Sequence, residues 1–204
     1  MKVLLINGSP HEKGCTYTAL SLIAGELKAQ GIETEILHVG GQPVGGCIGG
    51  CRSGNGCVFG GVVNEAIEKA KTADAFVFGS PVHYASAAGN MASFMDRLAY
   101  AGGKYLAYKP AAVCCSARRA GTTSTLDQLV KYPQFFHMPL VNGSYWAMVH
   151  GSNPEQVLQD AEGCAVMQEL GRNMAWLLRC IEAGKAAGID HPQNPPRPMT
   201  NFIR

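Results

Sequence analysis

The fold of this chain is decided by the stretch Lys2-Val-Leu-Leu-Ile-Asn-Gly-Ser-Pro-His-Glu-Lys-Gly-Cys-Thr16. Residues 3–6 are consecutive apolar residues, which is typical of a strand covered on both faces in a parallel sheet. A loop of glycine, serine and proline follows, and a helix is predicted from Thr16. The hydroxyls of Ser9 and Thr16, together with unpaired N–H groups at the helix start, are groups that bind a phosphate dianion. The stretch therefore predicts a phosphate site at the end of the first strand.

The spacing of the loop glycines separates this stretch from two common phosphate loops. A P-loop needs Gly-x-x-x-x-Gly-Lys-Ser/Thr, and a dinucleotide fold needs Gly-x-Gly-x-x-Gly at the helix start. Gly8 and Gly14 fit neither spacing, and no lysine directly precedes Thr16. The pattern disfavours both a nucleoside triphosphate and a Rossmann-bound dinucleotide. A plain strand-to-helix turn with Thr16 as its N-cap stays open as the alternative.

Length and composition favour one globular α/β domain. The chain has 204 residues, 47% of them apolar and 16% charged, which is enough for one substantial core. We expect the domain to span residues 1–186, with a proline-rich tail at residues 187–204. The net charge is +2 and the basic residues form no run, so no nucleic-acid partner is expected. No signal-like segment or membrane-length apolar run is found, so we expect no membrane partner and a cytoplasmic location.

The segment of residues 40–61 is unusually rich in glycine and contains Cys47, Cys51 and Cys57. Such a long irregular loop inside a compact domain is often functional. Three cysteines suggest a metal, but an iron-sulfur cluster or a structural zinc normally takes four ligands, so Cys15 or another distant thiol would have to join. We favour free thiols that shape a pocket or a subunit contact, and hence no metal ligand.

The rest of the sequence alternates between strand and helix patterns. Further strands are predicted at residues 33–39, 74–80, 109–116 and 138–142, and helices at residues 16–30, 63–72, 87–101 and 123–131. Residues 144–149 could extend the fifth strand. A long helix is predicted from Pro154, because asparagine followed by proline is a helix-start signal. Five such units fit a doubly wound parallel sheet of order 2-1-3-4-5.

Two more loops follow strand ends in this arrangement. Pro81-Val-His-Tyr-Ala-Ser86 follows the third strand, and residues 117–123 follow the fourth. Open α/β sheets bind ligands outside the carboxyl ends of their strands. The loops after strands one, three and four are therefore predicted to meet at one ligand site.

Three local motifs carry a resemblance to a known family. They are Gly8-Ser-Pro with Thr16, Gly79-Ser-Pro-Val-His-Tyr84 followed by Phe94-x-Asp96-Arg97, and the loop of residues 116–121. Together they resemble the NADPH-dependent FMN reductase and iron-sulfur flavoprotein branch of the flavodoxin-like proteins, over about residues 1–150. The resemblance implies an α/β flavodoxin-like fold: a doubly wound, five-stranded parallel sheet of order 2-1-3-4-5 with helices on both faces.

The resemblance also implies roles for individual residues. Ser9, His11 and Thr16 would hold the FMN phosphate, Pro81, Val82, His83 and Tyr84 would lie along the isoalloxazine edge, and Ser116, Arg118 and Gly121 would close its other side. Of these, Tyr84 and Arg118 are the expected catalytic residues. Asp96 and Arg97 are expected to tie their helix to neighbouring loops and are left out of the site.

The sequence departs from the family pattern at three places. Cys15 stands where the family usually has asparagine, and Ala92 stands where a lysine often precedes Phe94. The acidic pair usual after the last loop cysteine is replaced near residues 60–62. The last departure leaves the glycine-rich loop without its usual helix cap.

The resemblance implies an FMN-dependent oxidoreductase that takes a hydride from NAD(P)H and passes electrons to a small acceptor, such as a quinone, flavin, nitro or azo compound. An iron-sulfur or redox-sensing electron-transfer flavoprotein is the alternative, and a non-catalytic binding protein on the same scaffold is a third. We also expect a homodimer or homotetramer, because one protomer's loops would leave the flavin ring exposed. The cysteine loop and the pair Tyr145-Trp146 are the expected covers.

Overall fold

A computed structural model describes residues 1–51, 56–196 and 198–200. Its strands are β1 (Lys2–Asn7), β2 (Glu33–His38), β3 (Ala75–His83), β4 (Ser86–Ala87), β5 (Ala111–Ala117) and β6 (Met148–His150). Its helices are α1 (Cys15–Ala29), α2 (Val62–Thr72), α3 (Gly89–Gly102), α4 (Thr122–Phe135), α5 (Pro154–Val157) and α6 (Ala161–Ala186). The five parallel strands lie in the order β2-β1-β3-β5-β6, and β4 pairs antiparallel with β3. Counted over the parallel strands alone, this is the predicted order 2-1-3-4-5.

Apolar side chains of the strands fill two cores, one on each face of the sheet. Val3 and Leu5 face α1 and α6, whereas Leu4 and Ile6 face α2 and α3. All four are at most 1% exposed. This alternation explains the uninterrupted apolar run in β1, since both faces of the strand are covered. The helices on both faces confirm the predicted doubly wound fold.

The register of the strands brings several loops to one edge of the sheet. Asn7 at the end of β1 lies beside His38 of β2 and Gly79 of β3. Pro81 of β3 lies beside Ser116 of β5. The loops after β1, β3 and β5 therefore start next to one another, as the carboxyl ends of parallel strands should.

The predicted fifth strand at residues 138–142 is wrong, because the edge strand β6 is Met148–His150 and only the possible extension at residues 144–149 overlaps it. Residues 138–142 only touch the amino end of β5, through a single bridge between Leu140 and Ala111. Between the two pieces, the Ser144 N–H donates to Glu169 Oε2 at 2.6 Å instead of to a strand. That contact to α6 leads the chain away from the sheet for several residues.

The predicted single long helix from Pro154 is also wrong, because it is split into α5 and α6. Asn153 caps α5 as expected, accepting the Gln156 N–H at 2.9 Å. Asp160 then caps α6, and its two carboxylate oxygens accept the N–H groups of Gly163 (2.9 Å) and His150 (2.7 Å). Because this side chain satisfies a helix start and the end of β6 together, the helix restarts there.

Two further observations concern the chain as a whole. All eight cysteines are free thiols. Among the described residues, no helix is both long and apolar enough to span a membrane.

After α6, the His191 ring stacks on Tyr108 with 4.4 Å between ring centroids, and Asn194 Nδ2 donates to the Tyr108 hydroxyl at 2.6 Å. The tail thus contacts the domain at least up to Asn194.

Candidate functional site

The loop after β1, residues 8–14, is shaped by a buried asparagine at the strand end. Asn7 Oδ1 accepts the Ser9 N–H at 3.1 Å, and Asn7 Nδ2 donates to the Glu12 carbonyl at 2.9 Å. Ser9 Oγ in turn accepts the His11 N–H at 3.1 Å. Sequence analysis missed Asn7, although a polar residue that ends an apolar run and precedes a glycine was a usable signal. Its amide fixes the path of the loop that carries Ser9 and His11.

The end of β2 supports the same loop from the side. His38 Nε2 lies 2.7 Å from the Ser9 carbonyl oxygen. Gly40 packs so closely that a Cβ there would lie 2.2 Å from that same oxygen. Any residue larger than glycine at position 40 would displace the loop. The loop is therefore held from within by Asn7 and from β2 by His38.

The first turn of α1 has the free donors that a phosphate needs. Gly14 is the N-cap and makes no side-chain cap hydrogen bond, so the alternative with Thr16 as N-cap is wrong. Thr16 instead lies inside the first turn, 1% exposed, with its Oγ1 at 2.8 Å from Ser116 Oγ. In the described part of the chain, no hydrogen bond uses the Thr16 or Tyr17 N–H. These are the orphan N–H groups of a helix start, which favour an anion.

This donor set fits the phosphate of FMN. It combines two hydroxyls, of Ser9 and Thr16, with main-chain N–H groups at a helix N-terminus, and it uses no lysine. Such donors bind a phosphate by direct hydrogen bonds and by the helix dipole. Ser9 and Thr16 are both buried, whereas His11 is exposed at the rim of the loop.

The strands β3 and β4 form a tight hairpin with an exposed tyrosine at its turn. Pro81 and Val82 are half-buried, His83 is exposed, and Tyr84 is fully exposed. Tyr84 and Ala85 form the turn between β3 and β4, and both have positive φ, 50° and 58°. The predicted ring-edge residues are thus consecutive on one hairpin at the carboxyl edge of the sheet.

The loop after β5 contributes Ser116, Arg118 and Gly121 in different ways. Ser116 is buried and contacts Thr16, so it supports the first turn of α1. Arg118 is exposed at the edge. Gly121, the N-cap of α4, has φ 93°, and a Cβ there would lie 2.7 Å from Cα of Ala85. Ser116 therefore contacts the first turn of α1, whereas Gly121 packs against the hairpin.

The helix α3 anchors the glycine-rich segment beside this edge. Asn90 Nδ2 donates to the carbonyls of Gly40 (3.1 Å) and Gln42 (3.0 Å), and its Oδ1 accepts the Val44 N–H at 3.2 Å. Asn90 was missed in the sequence, because a lone asparagine near a helix start has no distinctive pattern. It connects the segment to the same helix that carries Arg97.

Arg97 is buried and binds three groups of the glycine-rich segment. Its guanidinium donates to the carbonyls of Gly45 (3.4 Å) and Gly60 (3.2 Å), and its Nε to Cys57 Sγ at 3.1 Å. Asp96 accepts the Tyr132 hydroxyl at 2.7 Å. Burial, and then this hydrogen bond, raises the pKa of Tyr132. The prediction that Asp96 and Arg97 tie their helix to neighbouring loops is confirmed for Arg97, whereas Asp96 binds helix α4.

The loop cysteines are not gathered into a ligand set in the part of the chain that the structure describes. Cys57 is buried against Arg97, and Cys47 and Cys51 are half-buried. Within residues 1–51, 56–196 and 198–200, no three His, Cys, Asp or Glu side chains are placed to hold a metal. The described residues thus do not present the four ligands of an iron-sulfur cluster. As expected from the missing acidic pair, Gly61 caps α2 without a side-chain hydrogen bond.

Comparison with known proteins agrees with the overall fold. The model of a family described as NADPH-dependent FMN reductase matches residues 1–153. An iron-sulfur flavoprotein of Methanocaldococcus jannaschii is 27% identical over 192 residues, which cover 89% of this chain and 100% of that protein.

Two solved structures show the same fold at low sequence identity. The structure of RosB with bound 8-demethyl-8-formylriboflavin-5'-phosphate has a TM-score of 0.68 and 15% identity, and the match covers 100% of this chain and 94% of that one. An NADH:FMN oxidoreductase in its apo form has a TM-score of 0.62 and 20% identity, covering 88% and 89%. Both have the flavodoxin-like architecture found here.

Proposed function

We propose, since the chain belongs to the NADPH-dependent FMN reductase family, that it oxidises NAD(P)H and passes the electrons to a small acceptor such as a quinone, flavin, nitro or azo compound. FMN is the cofactor and NAD(P)H the electron donor. When bound, FMN supplies the redox chemistry, because its ring accepts a hydride and returns electrons to a second substrate. Overall, NAD(P)H loses a hydride, and the acceptor gains two electrons. Solvent supplies the protons that complete its reduction.

The observation that carries this proposal is the set of hydroxyl and N–H groups in the loop after β1 and at the first turn of α1. Ser9, Thr16 and the N–H groups of Thr16 and Tyr17 would bind the phosphate. Such binding would place one end of the cofactor at the junction of β1, β3 and β5. A planar ring extending from there along the carboxyl edge would meet the hairpin of β3 and β4.

The exposed residues of that edge would orient the ring and the nicotinamide. Tyr84 is fully exposed on a two-residue turn, which suits a residue that contacts a ligand and not the core. The Arg118 guanidinium is exposed, and its planar fork of donors suits a phosphate or another anionic group. It would stabilise negative charge near the ring or bind a phosphate of the nucleotide.

A homodimer or homotetramer is part of this proposal. Tyr145 and Trp146 are 51% and 58% exposed and pack edge to face, with 4.6 Å between their ring centroids. Large exposed aromatic side chains are enriched at protein interfaces. They would cover a neighbouring protomer's flavin. Light scattering at micromolar concentration tests this, and a monomer that still holds FMN tightly would contradict it.

All eight cysteines are free, and free thiols are typical of proteins in a reducing compartment. We therefore propose that the protein is located in the cytoplasm. A second candidate function, electron transfer through an iron-sulfur cluster, is favoured by the name of the Methanocaldococcus jannaschii relative. Iron and acid-labile sulfide analysis of anaerobically purified protein separates the two. Stoichiometric iron and sulfide would promote the second function, and metal-free protein would leave the flavin enzyme.

The proposed function is tested by loading the purified protein with FMN and following the oxidation of NADH and of NADPH. A panel of quinones, flavins, nitro and azo compounds then identifies the acceptor class. We expect flavin absorbance that co-purifies or saturates on titration, and turnover that depends on FMN. Protein that binds no FMN would remove the proposal, and protein that binds FMN without turnover would indicate a non-catalytic binding protein.

A further inference from the structure

The hairpin that carries Tyr84 has an unusual turn for its sequence. The pairs Val82 with Ala87 and His83 with Ser86 leave Tyr84 and Ala85 as a two-residue loop. Both loop residues have positive φ, the geometry of a type I′ turn, which is normally formed by Asn-Gly or Gly-Gly. Residues with a Cβ are disfavoured in this region, because the Cβ crowds the backbone. A tyrosine and an alanine remain there only if the surroundings impose the turn.

The helix α4 supplies that support through two side chains. Gln128 Oε1 accepts the Ser86 hydroxyl at 2.6 Å and the Ala87 N–H at 2.9 Å. Ser124 Oγ donates to the Ala85 carbonyl at 2.7 Å. The second strand of the hairpin is only two residues long, so these bonds are a large share of what fixes it. Within the described ranges of the chain, Gln128 is the one side chain that binds both residues of that strand.

The start of α4 is also shaped to receive the turn. A Cβ at Gly121 would lie 2.7 Å from Cα of Ala85 and 2.9 Å from Cγ1 of Val82. The turn therefore rests directly on the helix start, and only glycine leaves room for it. Tyr84 takes no part in this packing, because it is fully exposed.

We propose that Gln128 is a positioning residue for the reaction, which holds the strained turn so that Tyr84 is presented at the flavin edge. This inference rests on the proposed function, since that function gives the turn its ligand. The physical basis of this role is preorganisation. A side chain that is already held in its working geometry does not have to be ordered when the nicotinamide binds. Gln128 acts through the hairpin and does not itself touch the reacting atoms.

The test uses Gln128→Met, which keeps the side-chain volume and removes the acceptor. Gln128→Glu keeps an oxygen that can accept both bonds, and Gln134→Met is the control, because Gln134 is exposed on the same helix. Amide hydrogen exchange of Ala87 is measured first, in the full chain. We expect exchange about tenfold faster or more in Gln128→Met, near wild-type exchange in Gln128→Glu, and no change in Gln134→Met.

The second measurement is kinetic, at saturating FMN. We expect Gln128→Met to lower kcat/KM for NAD(P)H about tenfold. FMN affinity should stay nearly unchanged, because Gln128 bonds to Ser86 and Ala87 and not to the proposed phosphate donors. Unchanged Ala87 exchange in Gln128→Met overturns the proposal, and so does faster exchange with wild-type kinetics. A wild-type protein that binds no FMN would instead remove the proposed function itself, and this role with it.

Discussion

The hydroxyl oxygens of Thr16 and Ser116 lie 2.8 Å apart, which joins the first turn of α1 to the end of β5. Both residues are buried, at 1% and 3% exposure. One hydroxyl donates in this bond and the other accepts. If the Thr16 O–H is directed to a phosphate oxygen, the Ser116 O–H must donate to Thr16 Oγ1. Ser116 then orients the Thr16 hydroxyl toward the cofactor.

We therefore expect Thr16→Val to weaken FMN binding while keeping the shape of the side chain. The loss is one charge-assisted hydrogen bond, about 1.5–3 kcal/mol, or about ten- to hundredfold in Kd. Titration followed by flavin fluorescence measures it. Saturating FMN should restore turnover, since Thr16 is proposed to bind the phosphate and not the ring.

The control is Ser116→Ala, alone and combined with Thr16→Val. Ser116→Ala should weaken FMN less than Thr16→Val, because the phosphate keeps its direct donor. The double variant should be no weaker than Thr16→Val alone, since Ser116 acts through Thr16. Unchanged FMN affinity in Thr16→Val, or strictly additive effects, would refute the relationship.

Tyr84→Ala should affect turnover rather than flavin binding. A side chain that orients the nicotinamide or the acceptor lowers kcat by about tenfold or more when it is removed, even with the flavin site full. Steady-state kinetics at saturating FMN measures this. Tyr100→Ala is the matched control, because Tyr100 is 75% exposed near the far end of α3. Full turnover of Tyr84→Ala at saturating FMN would exclude its catalytic role.

The parts of the fold that followed from the sequence are those with strong local signals. The apolar run of β1 followed by glycine, serine and proline marks the strand and its loop, and its buried pattern agrees with the structure. The edge strand β6 was only partly indicated, because the possible strand extension at residues 144–149 overlaps its first two residues. It has three residues, and its chain leaves the sheet because Ser144 binds Glu169 of α6. A contact between distant segments overrides local propensity there.

The candidate site likewise contains residues that the sequence indicated and residues that it did not. Ser9 and Thr16 could be named because hydroxyls after a strand have a recognisable spacing. Asn7 and Gln128 could not be named from the sequence. Each is a single amide, and its role depends on which backbone groups the fold brings within hydrogen-bonding distance. The turn at Tyr84 also contradicts its local preference, since nothing in Tyr-Ala indicates positive φ. Such conflicts are expected at functional positions.

Ala85→Gly should stabilise the protein, because glycine adopts positive φ without strain. Ala85 is exposed, so little packing is lost with its methyl group. We expect a gain of about 1 kcal/mol or less in the free energy of unfolding, after the greater freedom of glycine in the unfolded chain is subtracted. Thermal unfolding should show a rise of about 2–4 °C at most.

The matched control is Ala165→Gly, the same substitution at an exposed position inside α6. It should destabilise by about 1 kcal/mol, because glycine is a poor helix former. The opposite signs distinguish turn strain from a general effect of glycine. If Ala85→Gly destabilises as much as Ala165→Gly, the turn is not strained.

Arg97→Met should release the glycine-rich segment and expose Cys57. The substitution keeps the apolar stem but removes the donors to Gly45, Gly60 and Cys57, and the guanidinium that lies 5.1 Å from the Phe59 ring centre. Cys57 is 5% exposed in the folded protein, so a thiol reagent reaches it only when the segment opens. We expect its labelling under native conditions to be about tenfold faster or more. Peptide mass spectrometry is needed to assign the label among eight cysteines.

Arg172→Met is the control for loss of an arginine. Arg172 pairs with Glu26 at 3.2 Å on the opposite face of the sheet and its side chain is 49% exposed. Because this pair does not touch the glycine-rich segment, labelling of Cys57 should stay at the wild-type rate. Arg97→Met should also lower the free energy of unfolding by about 1–3 kcal/mol, since buried carbonyls lose their donors. Equal labelling of Cys57 in the Arg97 and Arg172 variants would show that the segment is held by other contacts, with Asn90 as the first candidate.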